Sequence, residues 1–438
     1  MGKFILKTKS KKIIFNFGFS LASILFTPMM FLAAIIARAV QNKKRKPRLV
    51  WGSTPIINYS LWSNAMVKAG YRSETFTNKY FSNINKREDW DRILSEEYPL
   101  VWWPFKPFIA FITALFKYDV FFISFNGFFI SAKPLRYLQA QLLKLAGKKI
   151  IALPYGSDSY VFRNIRSTST IHGLMMSYPD AAKSQAQISQ DVEYWVKHSH
   201  AVIPAFMGPD GFGRWDVLIP NTLMLDLQLW IASKKNNSAN GYEGEVVIVH
   251  APNHRGFKGT EFIVEAVTKI KESGLKVRLI LLENIQNEEV RRIFKEEADI
   301  LVDQIIFTGH GLNAVEGMAS GLTTICNLDD DNILLPFRRW SYFDECPLVS
   351  ATPENLVNVL QELITQPALR TKLGKAGRKY VEKYHGEDSA DYLFTNIIEY
   401  VYGRKTDLIN LYHPLLAYYP RRKPKIEHPL VQNRIVDE

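Results

Sequence analysis

The chain has little cysteine and is short of acidic residues. Its 438 residues include only Cys326 and Cys346, which excludes a disulfide framework and a cysteine-based metal cluster and suits a reducing compartment. Asp and Glu total 43 against 55 Lys and Arg, giving a formal net charge of +12. This excess of cations indicates an anionic partner, either nucleic acid or a membrane surface.

One stretch has no charged residue at all. Residues 13–37 are 25 uncharged positions, which as a helix would measure about 37 Å, more than the roughly 30 Å hydrocarbon core of a bilayer. This is too long for the apolar part of a cleaved signal peptide. Cations flank it at Lys3, Lys7, Lys9, Lys11, Lys12, Arg38, Lys43, Lys44, Arg45, Lys46 and Arg48. We therefore predict a membrane anchor over residues 1–46, an anionic membrane surface as partner and no nucleic-acid partner.

The topology of this anchor has two main alternatives. A single span would place the short N-terminus outside the cell, although basic flanks prefer the cytoplasmic side. A re-entrant hairpin with a break near Thr27 and Pro28 would keep both flanks inside. A core helix of a soluble domain is a third interpretation. With either membrane topology we expect the rest of the chain on the cytosolic face of the inner membrane.

Length and alternation of apolar segments predict an α/β protein with two Rossmann-like domains. We assign residues 47–235 to the first domain, 236–400 to the second, and 401–438 to a basic C-terminal tail. In the first domain we expect strands at 47–55, 118–125 and 148–155. In the second, residues 245–321 alternate strand and helix with short links, which predicts a parallel sheet with right-handed crossovers. Ligands of such sheets bind at the carboxyl ends of the strands.

The loops at those strand ends suggest a diphosphate site. Arg255 and Lys258 lie beside a predicted helix N-terminus, where free N–H groups and the helix dipole favour an anion. Gly309 and Gly311 would let the backbone approach a ligand closely. Glu316 lies one turn into the next helix, within reach of a diol such as ribose. Each of these residues alone could equally be a solvated surface charge or a turn.

Residues 254–267, 298–304 and 311–321 resemble the C-terminal domain of GT-B glycosyltransferases, near the large retaining group with an E-x7-E motif. The resemblance covers residues 245–400 well and the preceding domain loosely. It implies two domains facing a central cleft and no metal or other cofactor, with a nucleotide sugar as donor substrate. It also implies that Arg255 and Lys258 bind the donor diphosphate and that Glu316 binds the ribose. Further donor contacts are expected from Gln304, Gly309, Gly311, Leu312 and Asn313.

The chain departs from that family at the first Glu of the motif, where Thr308 stands. The Glu usually contacts the transferred sugar, so the donor sugar is left open, and Asp303 and Gln304 are candidates for the missing contacts. The cluster Asp329, Asp330 and Asp331 is expected to be a solvated turn rather than a metal site.

On the acceptor side, the ends of two strands in the first domain supply candidates. Gly52 and Ser53 close the first strand, and Ser157 and Asp158 follow a later one. Asp158 would either orient an acceptor hydroxyl or cap the following segment, the commoner role of Asp in a turn. The aromatic stretch 100–122 would lie at the lipid headgroups or form an internal helix under the sheet.

These features predict a membrane-associated, hexosyltransferase-like enzyme. It would move a sugar from a nucleotide sugar to a lipid-linked or cell-envelope glycan acceptor, with retention of configuration. The alternative is a non-catalytic, membrane-anchored protein that binds nucleotide or glycan within a complex.

Overall fold

Helices and parallel strands alternate along most of the chain. The structure, a computed structural model, describes residues 2–42, 45–81, 86–131, 135–207, 212–233 and 238–435, with the backbone only for residues 2–17. The strands are β1 (Arg48–Ser53), β2 (Arg72–Thr77), β3 (Arg92–Ile93), β4 (Val120–Ile123), β5 (Lys149–Ala152), β6 (Ala201–Val202), β7 (Val246–His250), β8 (Val277–Leu281), β9 (Ile300–Thr308), β10 (Thr323–Asn327) and β11 (Val349–Ser350).

The α-helices of the described residues begin with one long N-terminal helix. They are α1 (Gly2–Ala39), α2 (Ile57–Lys68), α3 (Lys106–Lys117), α4 (Gln139–Leu145), α5 (Thr168–Ser177), α6 (Pro179–Lys183), α7 (Gln185–His198), α8 (Arg255–Lys258), α9 (Thr260–Glu272), α10 (Asn287–Glu296), α11 (Leu312–Ala319), α12 (Asp331–Trp340), α13 (Leu356–Thr365), α14 (Pro367–Tyr384), α15 (Glu387–Val401) and α16 (Tyr418–Arg421).

The chain divides into two compact units. Unit 1 comprises residues 1–159 and 189–202, and unit 2 comprises residues 160–188 and 203–438. The domain boundaries predicted near residues 46, 235 and 400 stay predictions. Each unit holds one parallel sheet, in the order β3-β2-β1-β4-β5-β6 in unit 1 and β11-β10-β9-β7-β8 in unit 2. The predicted α/β class with two parallel sheets is confirmed.

The sheet of unit 2 has the predicted core on one face. The apolar side of α9, with Ile263, Val267 and Ile270, packs against buried strand residues and against α13. Gly274 follows the end of α9 with φ +95°, a conformation that favours glycine and ends the helix. In unit 1, Trp51 of β1 stacks on Phe122 of β4 with ring centroids 3.7 Å apart.

Several local predictions differ from the structure. The structure adds β2, β3 and α12, which were not predicted, and residues 179–198 form two successive helices, α6 and α7. The aromatic stretch 100–122 contains α3, whose Phe108, Phe111 and Ala114 are buried. Of the two alternatives for this stretch, the internal helix therefore describes α3.

The N-terminal helix α1 runs without interruption through Pro28. The break near Thr27 and Pro28 that the hairpin topology requires is therefore absent from the described backbone, and that alternative is wrong for this structure. Its segment Gly18–Ala39 is long and apolar enough to cross a membrane, with a mean hydropathy of 2.1. A core helix or a signal sequence would meet the same criteria, so length and composition alone assign no role.

Candidate functional site

Lys258 lies at the carboxyl end of β7, on the four-residue helix α8. Its side chain is only 9% exposed, and its Nζ lies 2.5 Å from Asp303 Oδ1. The same Nζ donates to Gln304 Oε1 at 3.0 Å. Since Asp303 and Gln304 belong to β9, which neighbours β7, this cluster joins two adjacent strands at one edge of the sheet.

A register shift in the pairing of β9 with β10 occurs at Asp303 and Gln304, the two residues that contact Lys258. The pairing of β9 with β10 shifts register around Cys326, which pairs with Gln304, while Asn327 pairs with Thr308. Asn327 Nδ2 donates to the carbonyl oxygens of Ile305 and Ile306, and Gln304 Nε2 donates to that of Gly309. Such bulges redirect side chains next to functional sites.

The N-terminus of α11 adjoins the same cluster. The backbone nitrogen of Gly311 lies 3.4 Å from Asp303 Oδ2. A Cβ atom placed on Gly311 would lie 3.8 Å from Lys258 Nζ. A phosphate would be bound by a cation and by N–H groups at a helix start, here Lys258 Nζ and the Gly311 N–H. In this structure both of these groups contact the Asp303 carboxylate.

Glu316 is buried one turn further along α11. It accepts hydrogen bonds from Asn287 Nδ2 at 3.4 Å and from Asn313 Nδ2 at 3.3 Å. Burial raises the pKa of Glu316 to about 7, against an ordinary value of 4.5, and the charge of nearby Asp303 acts in the same direction. A carboxyl group poised near neutral pH can either donate to or accept from a hydroxyl group.

Arg255 belongs to a different cluster of side chains. It is 45% exposed and pairs with Glu261 at 2.8 Å and with Glu283, which follows β8, at 3.0 Å. These two carboxylates raise the pKa of Arg255 above its ordinary value. The structure thus brings Lys258, Gln304 and Gly311 together with Glu316 close by, while the guanidinium of Arg255 is held by surface carboxylates.

The remaining donor-side candidates lie on the loop from β9 to α11. Gly309 has φ +110°, and a Cβ there would lie 3.0 Å from the ring of Phe206. Leu312 and Asn313 form the first turn of α11, and Thr308 is the buried last residue of β9.

Sequence reasoning missed His310, which lies between Gly309 and Gly311. Its ring is buried against Phe206 and Phe343, and neither ring nitrogen has a hydrogen-bond partner among the described residues. Burial lowers the pKa of His310 to about 3, so the ring is neutral at physiological pH. Its position between two glycines already singled out was the available signal.

The acceptor-side candidates meet at the carboxyl edge of the unit 1 sheet. Ser53 Oγ accepts from the backbone nitrogen of Phe129, and Asp158 Oδ2 accepts from that of Phe125, so both hold the loop after β4. Asp158 Oδ1 accepts from the nitrogens of Tyr155 and Gly156, which precede it, so these bonds hold the preceding turn and do not cap the following segment. Gly52 lies so close to β2 that a Cβ would be 2.0 Å from the Phe76 carbonyl oxygen.

Among the described residues, no group of three or more His, Cys, Asp or Glu side chains could hold a metal ion. In the triple-Asp turn, Asp330 caps α12 by accepting from the Asn332 nitrogen, and Asp329 pairs with Arg434. Both carboxylates thus have structural partners.

The two parallel-sheet α/β units define the GT-B fold of glycosyltransferases. No family model matches the chain, and no curated protein matches it in sequence. Solved structures do match in fold. A sucrose-phosphate synthase from Thermosynechococcus elongatus superposes with a TM-score of 0.55 at 15% identity, covering 82% of this chain and 100% of that one. HepE from Anabaena, in complex with UDP-glucose, gives a TM-score of 0.51 at 10% identity, covering 81% and 99%. At these identities the likeness concerns the fold alone.

Proposed function

We propose that the chain is a membrane-associated glycosyltransferase that moves a sugar, a hexose in the first instance, from a nucleotide sugar to a lipid-linked or cell-envelope glycan acceptor. The observation that carries the proposal is the cluster of Lys258, Gln304 and the Gly311 nitrogen, with buried Glu316 one turn away. It combines a cation, helix N–H groups and a diol-binding carboxyl at one strand edge. A donor with a diphosphate and a ribose needs these groups.

The chemistry would rest on positioning and electrostatics. Lys258 would exchange Asp303 for the donor diphosphate and neutralise the charge that develops on it as the sugar leaves. The N–H groups from Gly311 to Ala314 would add donors, and Glu316 would hold the ribose hydroxyls. For retention of configuration, the departing phosphate would take the proton of the acceptor hydroxyl.

Ligand-induced stabilisation tests the donor site. Because a ligand that binds only the native state raises its melting temperature, UDP, CDP, GDP and ADP and their sugars should divide into binders and non-binders. HepE, a relative in fold, is described with UDP-glucose, so UDP-sugars head the panel. The variant Lys258→Ala should lose the shift, whereas Lys269→Ala, an exposed lysine paired with Glu265 on α9, should keep it. A shift that survives in Lys258→Ala would contradict the assignment.

Thr308 favours a second candidate, a non-catalytic protein that binds nucleotide or glycan. It stands where the first Glu of the motif is expected, so a contact to the transferred sugar is missing. Hydrolysis or transfer of a bound nucleotide sugar, measured as nucleotide release, separates the two functions. Binding without release in the presence of membrane extracts would favour the non-catalytic protein.

The membrane part of the proposal rests on α1. Its apolar outer face and the basic residues around it fit an anionic surface, which we place at the cytosolic face of the inner membrane, where nucleotide sugars are available. An acceptor carried by that membrane would be reached without release into solution. Cell fractionation, with the wild-type chain expected in the membrane pellet, tests this part separately from donor binding.

A further inference from the structure

We propose that α1 lies in the plane of an anionic bilayer and does not cross it. One face of the helix is covered by unit 1, and the opposite face contacts lipid. This inference rests on the membrane association proposed above, and it specifies how the chain meets the bilayer.

The inner face of α1 packs against the rest of unit 1. Phe26 packs on Phe105 and Phe108 at the start of α3, with ring centroids 5.4 Å apart in both pairs. Ala22, Met30, Ala34 and Ala37 are buried and continue the same stripe at helical spacing. At the far end, a Cβ on Gly147, after α4, would lie 2.8 Å from Gln41 Oε1.

The outer face is apolar as well. Ile24 is 73% exposed, and the other members of this face are Leu21, Leu25, Met29, Leu32 and Ile36. The hydroxyls of Ser23 and Thr27 donate to carbonyl oxygens one turn back, so they need no water. A helix with one face on protein and one in lipid is expected to be apolar on both sides, which explains why α1 lacks the polar face of an isolated interfacial helix.

The length of uncovered chain excludes a span. Among the residues whose side chains are described, contacts with the rest of unit 1 extend to Gly18, where a Cβ would lie 2.8 Å from the Trp102 ring. Only residues 13–17 of the uncharged stretch precede that point. Five helical residues extend about 7.5 Å, a quarter of the roughly 30 Å core that a span must cross. The covered segment cannot pack on a water-exposed domain and cross hydrocarbon at once.

Charge and aromatic residues identify lipid as the occupant of the outer face. The first acidic residue of the chain is Glu74, so every charge around α1 in the sequence is positive. Anionic headgroups attract such basic segments. Trp102 and Trp103 are partly exposed beside the N-terminal end of the covered segment, and tryptophan prefers the headgroup region. A second copy of this chain would bring the same positive charge and be repelled.

Accessibility of single cysteines tests the topology. The natural Cys326 and Cys346 are buried, so the background labelling by an impermeant maleimide is expected to be low. In the variants Ser10→Cys and Lys46→Cys, an in-plane helix predicts labelling of both positions in inverted membrane vesicles and of neither in intact cells. Labelling of Ser10→Cys in intact cells would overturn the proposal in favour of a span.

Depth in the bilayer provides a second test. A fluorophore at Met29→Cys, the middle of the outer face, should be quenched most by lipids labelled near the headgroup, as should one at Ile24→Cys. Quenching of the Met29 position by labels near the bilayer centre would contradict an in-plane helix. Leu415→Cys, an exposed position of unit 2, serves as the unquenched control.

Vesicle binding identifies the occupant. Leu32→Glu should weaken co-sedimentation with vesicles containing phosphatidylglycerol by about tenfold or more, because a buried leucine contributes about 1.5–3 kcal/mol. Leu415→Glu, at an exposed leucine of unit 2, should leave it unchanged. If Leu32→Glu instead dissociates a dimer and leaves vesicle binding intact, a second copy covers the face and the proposal fails. Nucleotide-induced stabilisation should persist in Leu32→Glu, so loss of the donor site would be recognised independently.

Discussion

Asp303 lies 2.5 Å from Lys258 and 3.4 Å from the backbone nitrogen of Gly311. A carboxylate of the protein therefore contacts both groups that would bind a donor phosphate. Because the Asp303 side chain is fully buried, this ion pair is weakly screened by solvent. A ligand anion must share Lys258 with Asp303 or displace it, so the pair is expected to set the affinity of the site.

Replacing Asp303 by Asn should lower stability and increase the response to ligand. The change leaves Lys258 as a buried charge without a counter-ion, which costs up to about 3–5 kcal/mol. A nucleoside diphosphate that binds the wild type would restore a counter-ion, so it should raise the melting temperature of Asp303→Asn by more than that of the wild type. Thermal denaturation with and without the nucleotide measures both effects.

A double variant provides the control for this experiment. Removing both charges, as in Lys258→Met with Asp303→Leu, should recover most of the stability and abolish the nucleotide response, since apolar replacements of buried ion pairs are often neutral. An Asp303→Asn variant with a smaller nucleotide response than the wild type would show that Asp303 supports the ligand instead of competing with it.

Glu316 should make stability depend on pH between 4.5 and 7. Its pKa of about 7 exceeds the ordinary 4.5, so the folded state binds the proton more tightly than the unfolded state. The cost of ionising the buried carboxyl is absent below pH 4.5 and reaches about 3 kcal/mol above pH 7. Urea unfolding at pH 5 and pH 8 should show this loss as a difference between the two chains: from pH 5 to pH 8 the wild type should lose about 3 kcal/mol relative to Glu316→Gln, because the buried histidines titrate alike in both. The exposed Glu272→Gln should behave as the wild type does.

Two alanine substitutions, at the start of α11 and within it, should affect different properties: one the nucleotide affinity and the other the stability. A Cβ on Gly317 would lie 2.4 Å from Leu301 Cδ2 and 2.9 Å from Thr324 Oγ1, so Gly317→Ala should destabilise unit 2 by about 1–3 kcal/mol. A Cβ on Gly311 meets no atom closer than 3.8 Å and points at Lys258. Gly311→Ala should therefore keep its stability and lose about tenfold in nucleotide affinity. Unchanged affinity would place the phosphate elsewhere.

Buried histidines should make unit 2 sensitive to acid. Burial lowers the pKa of His250 to about 4, and the ring bonds the Val302 carbonyl oxygen and Thr260 Oγ1 in its neutral form. Because the unfolded state binds the His250 proton more tightly than the folded state does, the free energy of unfolding is highest above pH 6.5. It falls as the pH is lowered towards 4, by about 3 kcal/mol for this residue. His250→Asn should be less stable at pH 7 but lose less on acidification. Exposed His172→Gln should keep the wild-type slope, and equal slopes in all three would refute the prediction.

The sequence predicted the sheet of unit 2 well because its signals are local. The alternation of apolar strands and helices with short links over residues 245–321 can be recognised within a few residues at a time. The register shift in β9 is not local, since it depends on Asn327 of another strand bonding the carbonyl oxygens of Ile305 and Ile306. Because the sequence does not reveal that shift, the contact of Gln304 with Lys258 could not be predicted from it. The partners of Arg255 were unpredictable for the same reason, because Glu283 follows a different strand.

The N-terminal helix shows a second limit of sequence reasoning. Composition alone predicts a segment that avoids water, which fits a span or a hairpin in a membrane as well as, less readily, a core helix. The face of α1 that packs on the protein is set by Phe105 and Phe108 at the start of α3, some 80 residues further along the chain. The alternation of small and large residues on α1, with Ala22 and Ala34 inward and Ile24 and Leu32 outward, becomes informative only once that packing is known.

The direction of α3 has a bearing on how an acceptor would arrive. Its C-terminal end is tied to the start of β1, where Arg48 Nη2 donates to the Phe116 carbonyl oxygen at 2.7 Å. At its other end, Lys106 Nζ donates to the carbonyl oxygen of Ser95, just past β3. The tryptophan pair before α3 therefore lies towards the sheet edge where Ser53 and Asp158 hold their shared loop. In the function and membrane orientation that we propose, a glycan carried on a lipid would reach that edge by lateral diffusion in the bilayer, so its carrier would not have to leave the leaflet.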